Sequence, residues 1–177
     1  VVDTSTVFPA AGFVEMVLAA AARHLGDGPI EIRDLDILRP LVFEDGETAE
    51  VRTEIDASSD LIDISSRRRL VEPTFGLHVR ARVGRPPIEA RPTIVLPTAT
   101  GPAMSGDELY ALTARFGLHY GPAFRRAVSV VPTGERSLLV TLAADGTGLV
   151  HDAQLELHPT LLDAAFHGLF LLIRDPL

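Results

Sequence analysis

The sequence contains no cysteine, and this absence removes several classes of chemistry. Disulfide bonds, cysteine-ligated zinc sites and thiol catalysis are excluded, and the chain suits a reducing compartment, so we expect a cytoplasmic location. The six histidines are scattered, without the His-Glu-x-x-His spacing of zinc enzymes, so we predict no metal site. No apolar run reaches the ~18 residues of a membrane-spanning helix, which predicts no membrane span.

Positive charge is also scarce. The chain carries 16 basic and 24 acidic side chains, for a formal net charge of −8, and its only basic run is Arg67, Arg68 and Arg69. Nucleic-acid binding needs clustered positive charge to contact phosphates, so we exclude a nucleic-acid partner. With 177 residues and a hydrophobic fraction of 46%, the sequence predicts one sizeable folded domain or two small ones.

A long apolar helix is predicted near the start of the chain. Pro9 is tolerated at the first position of a helix, residues 10–25 are rich in helix formers, and Gly-Asp-Gly-Pro at 26–29 ends the helix. The helix surface is apolar nearly all round, which is typical of a buried helix. Strands are predicted at 30–37, 41–43, 47–55, 61–65 and 75–83. This order predicts a curved antiparallel sheet wrapped around the helix.

The second half repeats this pattern in part. Residues 85–102 contain five prolines, which indicate an extended linker, and Ser105 then caps a helix predicted at 105–116. The remaining predictions are a tight loop at 117–122, strands at 128–131 and 137–142, a turn at 132–135, and a helix from His158-Pro159 to about Ile173. We therefore predict an α+β chain divided into residues 1–84, a linker at 85–102, and residues 103–177. Few residues follow the last helix, so we expect the second half to be incomplete.

Two side chains of the last predicted helix have the spacing for acid–base chemistry. Asp163 and His167 are four residues apart, so they lie on one helix face about one turn apart. Their neighbours are nearly all apolar, and a carboxyl in such surroundings resists ionisation and can donate a proton near neutral pH. The alternative is an ordinary acidic residue in the first turns of a helix, where the helix dipole favours negative charge.

Two further segments have groups that can contact a ligand. The loop at 118–124 combines His119 and Tyr120, which can form hydrogen bonds, with Gly121 and Pro122, which fix the backbone. The alternative is a structural turn whose aromatic side chains fill the core. The start of the first helix, around Gly12, offers backbone N–H groups that can polarise a carbonyl, although every helix has such an end.

Three segments, in this order, resemble the dehydratase domains of modular type I polyketide synthases. They are residues 8–16 (FPAAGFVEM), 120–124 (YGPAF) and 158–167 (HPTLLDAAFH). The resemblance extends over essentially the whole chain. It implies a double hotdog fold, in which two halves each wrap an antiparallel sheet around a helix. It also implies dehydration of a β-hydroxyacyl thioester to an α,β-unsaturated thioester.

The same resemblance implies roles for individual residues. Asp163 would be the acid that protonates the leaving hydroxide, and His167 would help to hold that carboxyl and the substrate hydroxyl. The backbone N–H of Gly12 would hold the thioester carbonyl. The residues expected to bind substrate are Pro9, Gly12, Tyr120, Gly121, Pro122 and Phe124.

The resemblance implies no cofactor, because the substrate arrives on the phosphopantetheine arm of an acyl carrier protein. The expected partners are that carrier domain, the other domains of the same synthase, and a second copy of the chain in a homodimer. Chain length and stereochemistry of the substrate depend on pocket shape, which the sequence does not specify.

The sequence departs from the family pattern at the base that removes the α-proton. The family motif His-x-x-x-Gly-x-x-x-x-Pro, aligned on Pro9, places its glycine at Thr4 and its histidine immediately before Val1. The catalytic base is therefore expected outside this sequence. His24, past the far end of the first helix, and His78, on a later strand, are not expected to replace it.

Three functions remain open at this stage. The first is a polyketide synthase dehydratase. The second is a catalytically inactive, dehydratase-like scaffold or carrier-protein docking module. The third is a related double-hotdog enzyme, either a double-bond isomerase or a product-template cyclase. Retention of Asp163 and of the Tyr120 loop favours a working pocket, since a pure scaffold needs neither.

Overall fold

The structure is a computed structural model that describes residues 6–44, 46–68, 71–87, 93–144 and 155–173. These residues form two units in which helices pack on antiparallel sheets, so the predicted α+β class is confirmed. The N-terminal unit contains residues 6–87 together with 155–157, and the C-terminal unit contains residues 93–144 and 158–173. None of the helices in the described ranges is long and apolar enough to cross a membrane.

The N-terminal unit combines helix α1 (Ala10–Leu25) with two sheets. Its strands are β1 (Thr6–Val7), β2 (Glu31–Ile37), β3 (Val42–Phe43), β4 (Glu50–Asp56), β5 (Leu61–Arg67) and β6 (Gly76–Gly84). Strands β2, β6, β5 and β4 form an antiparallel sheet in that order, and β1 pairs with β3. The five predicted strands are confirmed, but β3 pairs with β1 in a second sheet, so the prediction of a single sheet is wrong. Strand β1 was not predicted, because two residues are too few to show a period.

Helix α1 packs one face against this sheet. Phe13, Val17 and Ala21 are spaced by four residues, and all three are fully buried because helical periodicity places them on one face. Their core neighbours alternate along β5 and β6: Ile62, Ile64, Val79, Ala81 and Val83. Val14 and Leu18 are only half-buried. Ala11, Gly12 and Glu15 on another face are nevertheless buried, and only Ala10 and Arg23 of the helix are exposed, so the prediction of a buried helix is confirmed.

The C-terminal end of α1 is held by a side chain that the sequence did not indicate. The Nη2 group of Arg85 donates to the carbonyl oxygens of Leu25, Gly26 and Asp27 at 2.8, 2.9 and 2.7 Å. Its Nη1 group donates to the carbonyl of Pro29 at 2.9 Å. The last carbonyls of a helix lack intrahelical partners and carry partial negative charge. A guanidinium supplies both the missing hydrogen-bond donors and a compensating positive charge.

The C-terminal unit has a three-stranded antiparallel sheet in the order β7, β8, β9. Its elements are β7 (Met104–Ser105), α2 (Gly106–Arg115), a 3₁₀ turn (Pro122–Phe124), β8 (Ala127–Gly134), β9 (Ser137–Leu142), α3 (Pro159–His167) and α4 (Phe170–Ile173). Leu109 and Tyr110 of α2 pack with Ala127 and Val130 of β8 in its buried core. The predicted cap of α2 is confirmed as a capping box, in which Ser105 and Glu108 each bond the other's backbone N–H.

The last predicted helix is interrupted. Helix α3 ends at His167, and the hydrogen bonds that follow span three residues: the Leu169 N–H donates to the Phe166 carbonyl and the Leu171 N–H to the Gly168 carbonyl. Gly168 is buried so closely on the sheet that an added Cβ would lie 2.7 Å from the Val140 side chain. The break follows from this tertiary packing, which helix propensity alone does not report.

Strand β8 is longer than predicted. It continues through Pro132 to Gly134, so the turn to β9 lies at residues 135–136 rather than at 132–135. Pro132 lacks an N–H donor, and it lies at an irregularity of the β8–β9 register. Its carbonyl accepts a hydrogen bond from Thr100 N–H at 2.8 Å. Strands tolerate proline at such irregular positions, and this explains why the proline did not end β8.

The Arg85 contacts predict a measurable loss of stability. We expect Arg85→Ala to lower the free energy of unfolding of the N-terminal unit by about 1–2 kcal/mol, because four carbonyls lose a charged donor. Urea unfolding followed by circular dichroism measures the loss, and hydrogen exchange at Gly26 reports fraying of α1. Arg82→Ala is the control, since the Arg82 side chain is exposed and makes no hydrogen bond among the described residues. Equal stability of the two variants would contradict the capping role.

Candidate active site

Helix α3 brings the predicted acid and its neighbour into contact. The Asp163 Oδ2 atom lies 2.8 Å from His167 Nε2, within hydrogen-bonding distance, as the spacing of four residues predicted. The His167 side chain is buried, with 3% of its surface exposed, whereas Asp163 keeps 22% of its side-chain surface exposed. The imidazole is therefore held inside the unit, and the carboxyl lies at its boundary, where a ligand can reach it.

The first turn of α3 is fixed by three polar side chains. His158 is the N-cap of the helix, and its Nδ1 accepts from the Thr160 N–H at 3.2 Å. Because Nδ1 accepts this bond, the Thr160 hydroxyl 3.0 Å away donates to the same nitrogen. The buried Arg126 donates from Nε to Thr160 Oγ1 at 3.3 Å and to the Ala123 carbonyl at 3.1 Å. Arg126 thereby ties α3 to the 3₁₀ turn.

The loop before the 3₁₀ turn places Tyr120 against His167. Their ring centroids lie 4.0 Å apart at an interplanar angle of 43°. Burial raises the pKa of Tyr120 to about 12, and the nearby Asp163 carboxylate and Tyr110 contribute to the increase. Near neutral pH the Tyr120 phenol is therefore a hydrogen-bond donor. Within the described ranges its hydroxyl makes no hydrogen bond, so the donor is available to a ligand.

The other predicted residues of this loop differ in exposure. Gly121 and Pro122 are exposed, whereas Phe124 is half-buried. The Phe124 N–H donates to the Gly121 carbonyl at 3.0 Å and closes the 3₁₀ turn. The loop thus serves both interpretations raised from the sequence, because its backbone is a structural turn and its Tyr120 ring packs on the candidate acid's partner. Substrate contact by Gly121, Pro122 and Phe124 stays a prediction.

Pro9 and Gly12 lie at the start of α1 in the N-terminal unit. Pro9 is the residue before the helix rather than its first residue, and its carbonyl accepts the Gly12 N–H at 2.9 Å. Gly12 is buried, and an added Cβ would lie 2.7 Å from the ring of Phe8. The Gly12 N–H is therefore already used within the helix turn, so its predicted bond to a thioester carbonyl would have to be shared.

The two histidines of the N-terminal unit have other partners. His78 is buried, its Nδ1 lies 3.1 Å from the Arg39 carbonyl oxygen, and its Nε2 lies 2.7 Å from Ser66 Oγ. His24 Nε2 lies 3.2 Å from an oxygen of Asp60. The position predicted for the catalytic base precedes Val1 and lies outside the described residues.

Two functional candidates were missed by the sequence reasoning. Tyr110 is buried on α2, and its hydroxyl lies 3.3 Å from His167 Nδ1. Glu15 is a buried carboxylate on α1 that accepts the N–H groups of Glu156 and Leu157 at 3.1 and 2.7 Å. The available signal for Glu15 was a lone charge on an apolar helix. For Tyr110 there was none, because an aromatic residue on an amphipathic helix is typical of a core.

The described residues contain no group of three His, Asp or Glu side chains arranged to hold a metal ion. The cluster that the structure does contain joins one carboxyl, one imidazole and two phenols: Asp163, His167, Tyr110 and Tyr120. Such a set can hold and move a proton, because each member is a donor or an acceptor and one carboxyl oxygen remains for a ligand.

Comparison with protein families gives two matches. The model of the polyketide synthase dehydratase domain matches residues 1–70, and the model of the polyketide synthase dehydratase N-terminal domain matches residues 89–176.

Curated relatives are much longer proteins. The chain is 32% identical over 180 residues to a phenolphthiocerol/phthiocerol polyketide synthase of Mycobacterium tuberculosis, covering 96% of this chain and 10% of that protein. It is 30% identical over 177 residues to the polyketide synthase ThaG of Burkholderia thailandensis, covering 95% of this chain and 3% of that protein. The chain thus spans a tenth or less of the length of these relatives.

Solved structures with the same fold are dehydratase domains. GphF Dehydratase 1 aligns with a TM-score of 0.76 at 29% identity, covering 96% of this chain and 60% of that chain. The dehydratase domain of PpsC from Mycobacterium tuberculosis aligns with a TM-score of 0.74 at 25% identity, covering 96% and 61%. An isomerase-inactive variant of GphF DH1 aligns at 0.78 and 30% identity, covering 96% and 59%. This likeness confirms the predicted double hotdog class, of which the chain spans about six tenths.

The closeness of Asp163 and Tyr120 predicts a shift in an alkaline titration. The chain has two tyrosines and no tryptophan, so ultraviolet absorbance of phenolate reports only Tyr110 and Tyr120. We expect Tyr120 to titrate near its pKa of about 12, and Asp163→Asn to lower that value because a neighbouring negative charge is removed. Glu135→Gln, in the exposed β8–β9 turn, is the control and should leave the curve unchanged.

The phenolate absorbance must be measured directly after each pH jump, because the protein loses stability over the same pH range. A folded-state pKa raised above the ordinary value of 10 gives stability that is complete below pH 10 and is lost as the pH rises towards 12. An Asp163→Asn curve identical to that of the unaltered protein would mean that the carboxylate does not act on Tyr120.

Proposed function

Because the chain belongs to the polyketide synthase dehydratase family, we propose that it removes water from a β-hydroxyacyl thioester within a polyketide synthase. The product is the α,β-unsaturated thioester. The single observation that carries this proposal within the chain is the contact between the partly exposed Asp163 carboxyl and the buried His167 imidazole at 2.8 Å. It supports an acid with one oxygen fixed and the other open to substrate.

Loss of water needs an acid because hydroxide is a poor leaving group. In the proposed reaction the base removes the α-proton, the electron pair of that C–H bond forms the new double bond, and the β-carbon–oxygen bond breaks. Asp163 gives its proton to the departing oxygen, which leaves as water. In the proposed arrangement the His167 Nε2–H would donate to Asp163 Oδ2, 2.8 Å away, and the proton for the substrate would be carried on Oδ1.

The base is proposed to be the histidine expected immediately before Val1. It would accept the α-proton, whose acidity the thioester carbonyl increases. The contacts of His24 with Asp60 and of His78 with Ser66 support this choice, because both imidazoles of the N-terminal unit are engaged elsewhere.

Tyr120 is proposed to orient the substrate hydroxyl next to Asp163. Its raised pKa supports a phenol that stays protonated and donates to an oxygen. The other residues proposed to contact substrate are Pro9 and Gly12 of the N-terminal unit and Gly121, Pro122 and Phe124 of the C-terminal unit. Gly12 would share its N–H between the Pro9 carbonyl and the thioester carbonyl, a weaker interaction than a dedicated donor.

We propose no cofactor, because acid, base and thioester together supply the chemistry of water loss. The substrate would be delivered on the phosphopantetheine arm of an acyl carrier protein. The other proposed partners are the remaining domains of the synthase and a second copy of the chain. The location is proposed to be the cytoplasm, consistent with the absence of cysteine.

A second candidate function is migration of the double bond. It is favoured by the likeness to GphF DH1, of which a solved variant is isomerase-inactive. The same acid–base pair can return a proton to a different carbon, so the two reactions differ in product rather than in machinery. A scaffold or docking module without activity and a product-template cyclase are the remaining alternatives.

Replacement of the acid tests these possibilities. We expect Asp163→Asn in the intact protein to lower the rate of water loss from a 3-hydroxyacyl carrier-protein substrate by about 10²–10⁴-fold, because an amide cannot donate a proton to hydroxide. Mass spectrometry of the carrier-bound acyl group measures loss of water, and chromatography of the released acid distinguishes the position of the double bond.

Asp107→Asn is the matched control, because Asp107 is an exposed aspartate of the same unit that pairs with Arg125. Its rate should equal that of the unaltered protein. Turnover of Asp163→Asn at a near-normal rate would refute the acid assignment. No turnover by the unaltered protein would favour the scaffold, and a shifted double bond would favour the isomerase.

A further inference from the structure

The Tyr110 hydroxyl has two alternative hydrogen-bond acceptors, one of which is the imidazole that contacts the candidate acid. It accepts the Ala127 N–H at 2.9 Å, so one of its lone pairs is committed to the backbone. Its single proton has two acceptors within reach, the Phe124 carbonyl and His167 Nδ1, each at 3.3 Å. Both rings are buried, with 7% of Tyr110 and 2% of His167 exposed. The phenol proton can therefore be donated to either of two acceptors inside the protein.

This choice determines which nitrogen of His167 carries the proton. When Tyr110 O–H donates to Nδ1, that nitrogen is an acceptor, and the ring proton of a neutral imidazole is on Nε2. When Tyr110 O–H donates to the Phe124 carbonyl, Nδ1–H donates to the phenol oxygen instead, and Nε2 is left as an acceptor. The two arrangements differ only in one hydroxyl rotation and one tautomer.

The two tautomers leave Asp163 in different states. With the proton on His167 Nε2, the ring donates to Asp163 Oδ2, and the carboxyl proton is on Oδ1, free to reach a substrate. With Nε2 as acceptor, the carboxyl proton lies on Oδ2 and is bound to the imidazole. The acid is productive only in the first arrangement, because a proton held by His167 is not offered to a hydroxyl.

We propose that Tyr110 is a positioning residue that donates its hydroxyl proton to His167 Nδ1 and thereby keeps the acidic proton of Asp163 on the oxygen facing substrate. The proposal rests on the proposed dehydration for its catalytic consequence, although the tautomer it specifies is independent of any reaction. Tyr110 acts through His167 and touches no substrate.

The surroundings fix the ring that carries this hydroxyl. The Arg125 guanidinium lies 5.0 Å from the centroid of the Tyr110 ring, and the Tyr120 ring meets Tyr110 edge-on at 5.8 Å. The Ala127 N–H belongs to the first residue of the central strand β8 and cannot turn away without disrupting that strand. The phenol oxygen is therefore held in place, and only its proton is free to move.

Nitrogen NMR of selectively labelled histidine tests the tautomer directly. We expect His167 in the full chain at neutral pH to have an unprotonated Nδ1 and a protonated Nε2, and His167→Gln assigns the signal by its loss. In Tyr110→Phe, Nδ1 loses both the hydroxyl that donates to it and the oxygen that could accept its own N–H, so the signal should show a weaker preference for the Nε2–H tautomer. A protonated Nδ1 in the unaltered chain, in a neutral or a charged ring, overturns the proposal.

A double-mutant cycle tests the catalytic consequence in the intact protein. We expect Tyr110→Phe to lower kcat for water loss by about 10–100-fold with little change in KM, because a misplaced tautomer impairs the acid rather than substrate binding. In the His167→Gln background the same change should lower kcat by less than about 3-fold, because an amide N–H₂ donates to Asp163 without any tautomer to select.

The cycle separates positioning from stability. Removal of the hydroxyl leaves the Ala127 N–H without its acceptor in both backgrounds, so the midpoint temperature of thermal unfolding should fall by the same amount in both. Equal losses of kcat in the two backgrounds would mean that Tyr110 is merely structural. Absence of water loss in the unaltered protein would count against the proposed function alone, since the NMR result stands without it.

Discussion

Most of the candidate site follows from one requirement, that a buried imidazole needs a hydrogen-bond partner at each nitrogen. An unpaired polar group in a protein interior costs about 1–3 kcal/mol, so His167 cannot be buried alone. Asp163 supplies one partner from the same helix, and Tyr110 supplies the other from α2. The same contacts that stabilise the core of the C-terminal unit therefore also orient the carboxyl that can donate a proton.

This requirement extends outward to the elements that hold the partners. Tyr110 is fixed by the backbone of Ala127, and the start of α3 is fixed by His158 and Arg126. These bonds connect the 3₁₀ turn, β8 and both helices to a single cluster. A change at any of them alters how Asp163 presents its free oxygen, although none of these groups needs to touch a substrate.

The sequence allowed the local features to be predicted, and it failed where partners are far apart in the chain. Helix α1 and the contact of Asp163 with His167 follow from spacings of three and four residues. The contact of Tyr110 with His167 joins positions 57 residues apart, and that of Glu15 with Leu157 joins positions 142 apart. No periodic pattern reports such pairs, because they exist only once the sheets have brought the segments together.

The hydrogen bonds of Glu15 also constrain the order in which parts of the chain can fold during synthesis. Its buried carboxylate has N–H partners at residues 156 and 157, which leave the ribosome long after the helix that carries it. Until then α1 contains a charge without its native donors, in an element otherwise suited to burial. The N-terminal unit thus reaches its final form only after residues 155–157, which precede α3, have been synthesised. Its folding therefore cannot be complete before most of the C-terminal unit's sequence has been translated.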